Sequence, residues 1–165
     1  MGRIGRAVAQ RARGFGMEIH YHNRNKLSSD LELGAIYHKD AKSLFVESEF
    51  LSINCPATAE TTNLLNEETI KILPDKAVVA NAARGDIIDD KAMIEAMKSG
   101  KIFALGLDVY NGEPKINEEY LKLDNLFLLP HLGSSTKRTR IDMGDRAIDN
   151  LEVFFSGKKP KDQVN

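Results

Sequence analysis

Ala77-Val78-Val79-Ala80 is a short, unbroken apolar run that gives way to Asn81-Ala82-Ala83-Arg84-Gly85-Asp86. Two more runs of the same kind follow it, Phe103-Ala104-Leu105-Gly106-Leu107 and Leu126-Phe127-Leu128-Leu129. Apolar runs of this length, bounded by turn residues, read as strands buried on both faces, as in a parallel sheet. Just past their ends stand Arg84, Glu113 and His131. Ligands of an open α/β sheet bind outside the carboxyl ends of its strands. The pattern therefore delivers a cation, a carboxylate and an imidazole to one sheet edge, which is the material of an acid–base site.

Working outward, Phe50-Leu51-Ser52-Ile53-Asn54 reads as a further strand, ended by Pro56, and Met17-Glu18-Ile19-His20-Tyr21 as another. Helices fall between them. Arg6 to Ala12 is helix-favouring and is stopped by Gly14 and Gly16, and Leu44-Phe45-Val46 lies on a second helix. Asn66 is an N-cap, with Glu67 and Glu68 suited to the dipole of a helix that ends near Pro74. Asp89 and Asp90 open another helix that Lys98 and Gly100 close. A last long helix runs from about Thr136 to Phe155, with Ile141, Ile148, Leu151 and Phe155 on one apolar stripe. Strands alternating with helices imply a parallel sheet built by right-handed crossovers. Near Gly133 the alternation gives way to the single long helix, which places the expected boundary there.

Composition sets the limits on function. The chain has 165 residues, 42% hydrophobic and 28% charged, as expected of one globular domain with a sizeable core. A net charge of -1 gives no electrostatic case for nucleic acid or an anionic membrane. No apolar run is long enough to span a bilayer and Met1 does not open a signal segment, so a cytoplasmic protein is expected. The single cysteine, Cys55, excludes an internal disulfide and a Cys-based zinc cluster. His20, His22 and His38 lack ligand spacing, so no metal site is expected.

Gly2-Arg3-Ile4-Gly5 precedes a helix and matches two thirds of the Gly-x-Gly-x-x-Gly dinucleotide fingerprint. The second glycine of that pattern lets backbone approach the pyrophosphate, the third lets helix pack on strand, and amides of the helix N-terminus hold the phosphates. The fingerprint's first glycine and the strand before it have no counterpart ahead of Met1. At the end of the following strand, where NAD binders place a carboxylate on the adenosine ribose, stand His22, Asn23 and Arg24. An arginine there favours a phosphorylated ribose, hence NADP(H) over NAD(H).

With the glycine loop, Asn81 to Asp86, Gly106-Leu107-Asp108-Val109-Tyr110 with Glu113-Pro114, and Pro130-His131-Leu132-Gly133-Ser134 in this order, the chain resembles the D-isomer-specific 2-hydroxyacid dehydrogenases. Tyr21-His22-Asn23-Arg24 looks most like their glyoxylate/hydroxypyruvate reductase branch. The resemblance implies an α/β fold: a Rossmann-type doubly wound parallel sheet lacking its first strand, followed by the long C-terminal helix. Residues 1–134 would be a partial NAD(P)-binding domain, and 135–165 the crossing helix and tail of an otherwise missing substrate domain.

The resemblance also implies roles. Arg84 would grip the carboxylate and carbonyl oxygen of a small 2-oxo acid, His131 would protonate the carbonyl oxygen, and Glu113 would orient the imidazole. Cofactor contacts would come from Gly2, Arg3, Ile4, Gly5, Asn23, Arg24, Cys55, Pro56, Thr61, Ala82, Ala83, Arg84, Asp108, His131 and Gly133. A homodimer is what the family suggests. A sheet without its central strand should leave the chain marginal and inactive by itself. The competing expectation is a non-catalytic dinucleotide-binding corepressor or scaffold of the same fold, which would need only the cofactor contacts and not the Arg84, Glu113 and His131 set.

Overall fold

Strands and helices alternate from His20 to Leu128 and the chain ends in one long helix, in a computed structural model that describes residues 1–164. Two compact units divide it, Met1–Pro130 and a second that begins at His131. In the first, β1 (His20–His22) pairs in parallel with β2 (Ile36–His38). β3 (Phe50–Ile53), β4 (Ala77–Asn81), β5 (Ile102–Leu107) and β6 (Leu126–Leu128) form a second parallel sheet in that order. Its helices are α1 (Arg3–Gly14), α2 (Ser29–Glu32), α3 (Ala41–Val46), α4 (Glu67–Lys71) and α5 (Asp90–Lys98). Because β3 to β6 run the same way, Ile53, Asn81, Leu107 and Leu128 end along one edge.

Side chains fix where the helices start. Asn66 Oδ1 accepts the Glu68 and Thr69 amides, and the Thr69 hydroxyl accepts the Asn66 backbone amide, a reciprocal capping box. Asp89 accepts the Ala92 amide at 3.1 Å and so opens α5. α4, Leu73 just beyond it, and α5 then bury Ile70, Leu73, Met93, Ile94 and Met97 in one core cluster with Leu51, Ile53, Val79, Leu105 and Leu107.

The other face of the same sheet departs from the expectation. The apolar runs are buried on one face only, for Phe50 is 61% exposed, Phe103 61% and Phe127 67%. The strands advance one place at a time in one direction, and right-handed crossovers then lay α4 and α5 on a single face. An unbroken apolar run does not reveal that asymmetry.

The strand expected at Met17–Tyr21 instead occupies His20–His22, because register is set by partners: His20 opposes Ile36, Tyr21 opposes Tyr37 and His22 opposes His38. Gly16, at φ +75°, turns the chain out of α1 first. His20 ties the pair together, with Nδ1 2.8 Å from His38 Nε2 and Nε2 2.7 Å from Glu18 Oε1. Neither β2 nor α2 is anticipated by periodicity, since each is about one repeat long.

In the second unit, α6 (Lys137–Phe155) begins at Thr136, whose hydroxyl accepts the Thr139 amide at 3.1 Å. Ile141, Ile148, Leu151 and Phe155 are exposed on it. The tail folds back: Asp162 accepts from the Arg146 guanidinium and from Asn150 Nδ2, and its own amide donates to Asn150 Oδ1 at 3.1 Å. The Arg146 hydrogen bond, then the Asn150 one, hold the Asp162 carboxyl down from the usual 3.8 to about 2. A depressed carboxyl contributes its stabilisation above the unfolded value and loses it as pH falls through the folded value. The tail is thus expected to stay clamped above pH 3.8 and to release as pH falls towards 2. Carbon NMR titration of the Asp162 carboxyl checks this, and a midpoint at 3.8 would show that no clamp acts on it.

No helix among the described residues is long and apolar enough to cross a membrane. Nor does any group of three His, Cys, Asp or Glu side chains among them suit a metal ion.

Candidate active site

α1 starts without a side-chain cap. Gly2 is its N-cap residue, with no side-chain hydrogen bond and no acidic residue in the first turn. By contrast Asp40, Asn66, Asp89 and Thr136 cap α3, α4, α5 and α6. An uncapped helix N-terminus offers backbone N–H groups and the positive end of the dipole to an anion. Arg3 and Ile4 are exposed there, and a Cβ built on Gly2 would meet nothing within 4 Å, so the start of α1 has room for a phosphate. Gly5 is buried, but a Cβ on it would lie 3.7 Å from Asn54 Cβ, an ordinary contact.

The ends of β1 and β3 converge on the same helix start. The Met1 ammonium donates to Asn23 Oδ1 at 2.5 Å, just past β1, and Gly5 packs on Asn54, just past β3. Among the described residues no pairing joins β1 to β3; the start of α1 lies where their ends meet. Cys55 is half-buried beside this point, and burial pushes its thiol pKa up, so it stays a neutral packing group. Thr61 donates to the Pro56 carbonyl at 2.7 Å and accepts the Thr58 amide at 2.8 Å, which fixes the Cys55–Pro56 bend. Arg24 is exposed. It adds to the effect of the Thr58 hydroxyl and the backbone in holding the Glu60 carboxyl below its usual value. Asn23, Asn54 and Cys55 thus lie at the start of α1, and Arg24, Pro56 and Thr61 are on the loops that carry them.

A second cluster lies at the ends of β4 and β5. Asn81, 2% exposed, donates from Nδ2 to the Arg84 carbonyl at 2.8 Å and accepts the Ala83 amide at 3.0 Å. This buried amide folds Ala82-Ala83-Arg84 over the strand end and brings in the turn Gly85–Ile87. The Arg84 guanidinium lies at the surface, with Nη1 donating to the Ala83 carbonyl at 2.6 Å. Asp108 is buried, and its amide donates to the Asn81 carbonyl at 2.9 Å, so the ends of β4 and β5 are stitched together. Beyond it, Glu113 Oε1 accepts the Tyr110 amide at 3.0 Å. The two loops touch backbone to backbone, for a Cβ on Gly85 would overlap the Tyr110 carbonyl group and the Asn111 nitrogen. Arg84 and Glu113 are therefore carried on loops that pack directly on each other.

His131 opens the second unit, after β6, with φ +55°, an uncommon conformation for a residue with a side chain. Its carbonyl accepts the Ser135 hydroxyl at 3.4 Å, and the Ser135 amide donates to Leu132, folding the His131 to Gly133 segment into a turn. Sequence reasoning assigned no role to Asn81 or Asn111, and to Asp90 only that of opening a helix. For Asn81 there is a signal, an amide side chain closing an apolar strand, which has to find hydrogen-bond partners once buried.

Comparison with known proteins shows the family. Residues 1–133 match the family model described as D-isomer specific 2-hydroxyacid dehydrogenase, NAD binding domain. A glyoxylate reductase of Thermococcus kodakarensis is 44% identical over 99% of this chain and 49% of its own length. A glycerate dehydrogenase of Hyphomicrobium methylovorum is 43% identical over 94% of this chain and 49% of its own. Among solved structures, an NADPH-dependent glyoxylate/hydroxypyruvate reductase of Sinorhizobium meliloti, in complex with NADP and malonate, superposes with a TM-score of 0.93. It shares 36% identity, over 99% of this chain and 50% of that one. The chain spans about half the length of the curated relatives it matches. From the glycine loop at the start of α1 to the turn that follows β6, the chain belongs to the D-isomer specific 2-hydroxyacid dehydrogenase family, through its NAD-binding domain.

Proposed function

We propose that the chain forms the dinucleotide half of an oxidoreductase that reduces a small 2-oxo acid, glyoxylate or hydroxypyruvate, to the D-2-hydroxy acid. The observation that carries this reading is the packing of the Arg84 loop on the Glu113 loop at the carboxyl edge of the sheet. The names of the relatives, glyoxylate reductase and glycerate dehydrogenase, support the substrate class. A reduced nicotinamide, when bound, supplies the hydride. Every other part falls to residues of this chain.

Arg84 pairs its planar fork with the substrate carboxylate and carbonyl oxygen, fixing which face of the carbonyl is presented. His131 gives its proton to the carbonyl oxygen as negative charge develops there. Glu113 holds the imidazole by one nitrogen and favours its protonated form. Amides at Gly2, Arg3, Ile4 and Gly5 take the pyrophosphate. Cys55, Pro56 and Thr61 line the adenine side, Ala82 and Ala83 the nicotinamide ribose, Asp108 the carboxamide, and Gly133 the bend beside His131.

Asn23 and Arg24 set the choice between cofactors. Asn23 offers no carboxylate to a ribose hydroxyl, and Arg24 meets a ribose phosphate, so NADP(H) is preferred. The Sinorhizobium meliloti relative, NADPH-dependent by name, supports this. A charge-assisted hydrogen bond contributes about 1.5–3 kcal/mol, so Arg24→Asp is expected to move the NADPH/NADH preference about 10-fold or more towards NADH. The ratio of kcat/KM with the two cofactors measures it. An unchanged ratio would count against a phosphate-binding Arg24. The reaction as a whole is tested by cofactor oxidation in an enzyme of the relatives' length that contains this chain.

A further inference from the structure

We propose that Asn111 is a positioning residue that locks the Glu113 loop to the Arg84 loop, with Asp90 as its anchor. The proposal rests on the hydride-transfer reading for its consequence, though not for its geometry. Asn111 Nδ2 donates to the Ile88 carbonyl at 3.0 Å and to Asp90 Oδ1 at 3.0 Å. Ile88 directly follows the Gly85–Ile87 turn that Arg84 opens, and Asp90 is the first residue of α5. One amide group therefore bridges the loop after β5 to two points, Ile88 and Asp90, of the segment joining Arg84 to α5.

The anchor is itself held. The Tyr120 hydroxyl, on a side chain 1% exposed, donates to the same Asp90 Oδ1 at 3.0 Å. Asp90 at the start of α5 also suits the helix dipole. A carboxylate fixed by two donors and a helix terminus is a firm post, and Asn111 is tied to it.

From Asn111 the restraint reaches the acid–base group in one step. Its neighbour Tyr110 presents the backbone N–H that Glu113 Oε1 accepts at 3.0 Å. The peptide between Tyr110 and Asn111 is also the surface on which Gly85 sits, with no space for a Cβ. Van der Waals contact pushes the two loops together at Gly85, and the Asn111 hydrogen bonds stop them sliding or parting. Without Asn111 the Gly85 contact remains, but the hydrogen bonds that tie the Tyr110–Asn111 peptide to Ile88 and Asp90 are gone. The Glu113 carboxylate then shifts from the position that the proposed proton transfer asks of it.

The test compares Asn111→Ala with Asp90→Asn, which keeps the accepting oxygen, and with Glu113→Gln. Hydrogen exchange at the Tyr110 amide in the full chain reads the geometry without any need for activity. It is expected to speed up at least 10-fold in Asn111→Ala and by less than 3-fold in Asp90→Asn. The pH profile of kcat/KM for reduction reads the consequence. Its basic limb is expected to move to lower pH in Asn111→Ala, in the same direction as in Glu113→Gln, with KM for the cofactor unchanged. Unchanged Tyr110 exchange in Asn111→Ala overturns the proposal. So does a basic limb that moves in Glu113→Gln but stays in place in Asn111→Ala. Should Glu113→Gln itself leave the limb unmoved, the hydride-transfer role of Glu113 fails, and Tyr110 exchange alone then decides the clamp.

Discussion

Replacing His131 by alanine is expected to lower kcat/KM for reduction of the 2-oxo acid by about 1000-fold, within the range by which a positioned general acid contributes. The reduced carbonyl oxygen would otherwise carry full negative charge in the transition state. Arg84 can screen that charge but, as a guanidinium, has no proton to give at neutral pH. Alanine is the informative replacement because His131 sits at φ +55°. Alanine also carries a Cβ, so the backbone cost of that conformation is largely retained and the variant removes the imidazole alone. Glycine would release the strain and confound the two effects. The dissociation constant for NADPH is expected to change less than 3-fold, because the contacts proposed for phosphates and adenine lie elsewhere. A loss in kcat/KM below about 10-fold would remove His131 from the proton transfer.

The second large effect concerns stability. Gly85→Ala is expected to destabilise the protein by about 3 kcal/mol, the upper range for overpacking. In a chain of this size that lowers Tm by about 10 °C. The added Cβ would overlap the Tyr110 carbonyl and the Asn111 nitrogen, which are backbone atoms on the opposing loop. No rotamer change can relieve such a clash, so either the Arg84 loop lifts or the Glu113 loop does. Gly14→Ala is the control, since a Cβ there meets nothing within 4 Å and alanine favours helix. Calorimetry on the pair is expected to show the drop at Gly85 and none at Gly14. Equal melting temperatures would contradict the close packing of the two loops.

Much of this arrangement is legible in the order of the amino acids alone, and the reasons are local. Asn66, Asp89 and Thr136 announce helix starts because their side chains satisfy amides only a few residues away. The runs beginning at Ala77 and Phe103 announce strands because apolar continuity at that length has few other uses. Arg84, Glu113 and His131 stand out because each follows such a run directly. What sequence hides is what depends on distant partners. The position of β1 is decided by Ile36 to His38 across the pair, not by Met17 or Ile19. The exposed Phe50, Phe103 and Phe127 reflect which face the crossovers cover, a property of strand order. Asn111 and Asp90 lie 21 positions apart and meet only because two loops fold against each other. The need for glycine at position 85 likewise arises from residues 110 and 111.

The central proposal is that Arg84, Glu113 and His131 serve hydride transfer to a 2-oxo acid. Its most direct test is the loss of NADPH absorbance in an enzyme of the relatives' length that contains this chain. With glyoxylate or hydroxypyruvate present, one NADPH is expected to be consumed per hydroxy acid formed, and Arg84→Ala is expected to abolish the signal at low substrate. Failure to oxidise either NADPH or NADH with glyoxylate, hydroxypyruvate or pyruvate would contradict the account.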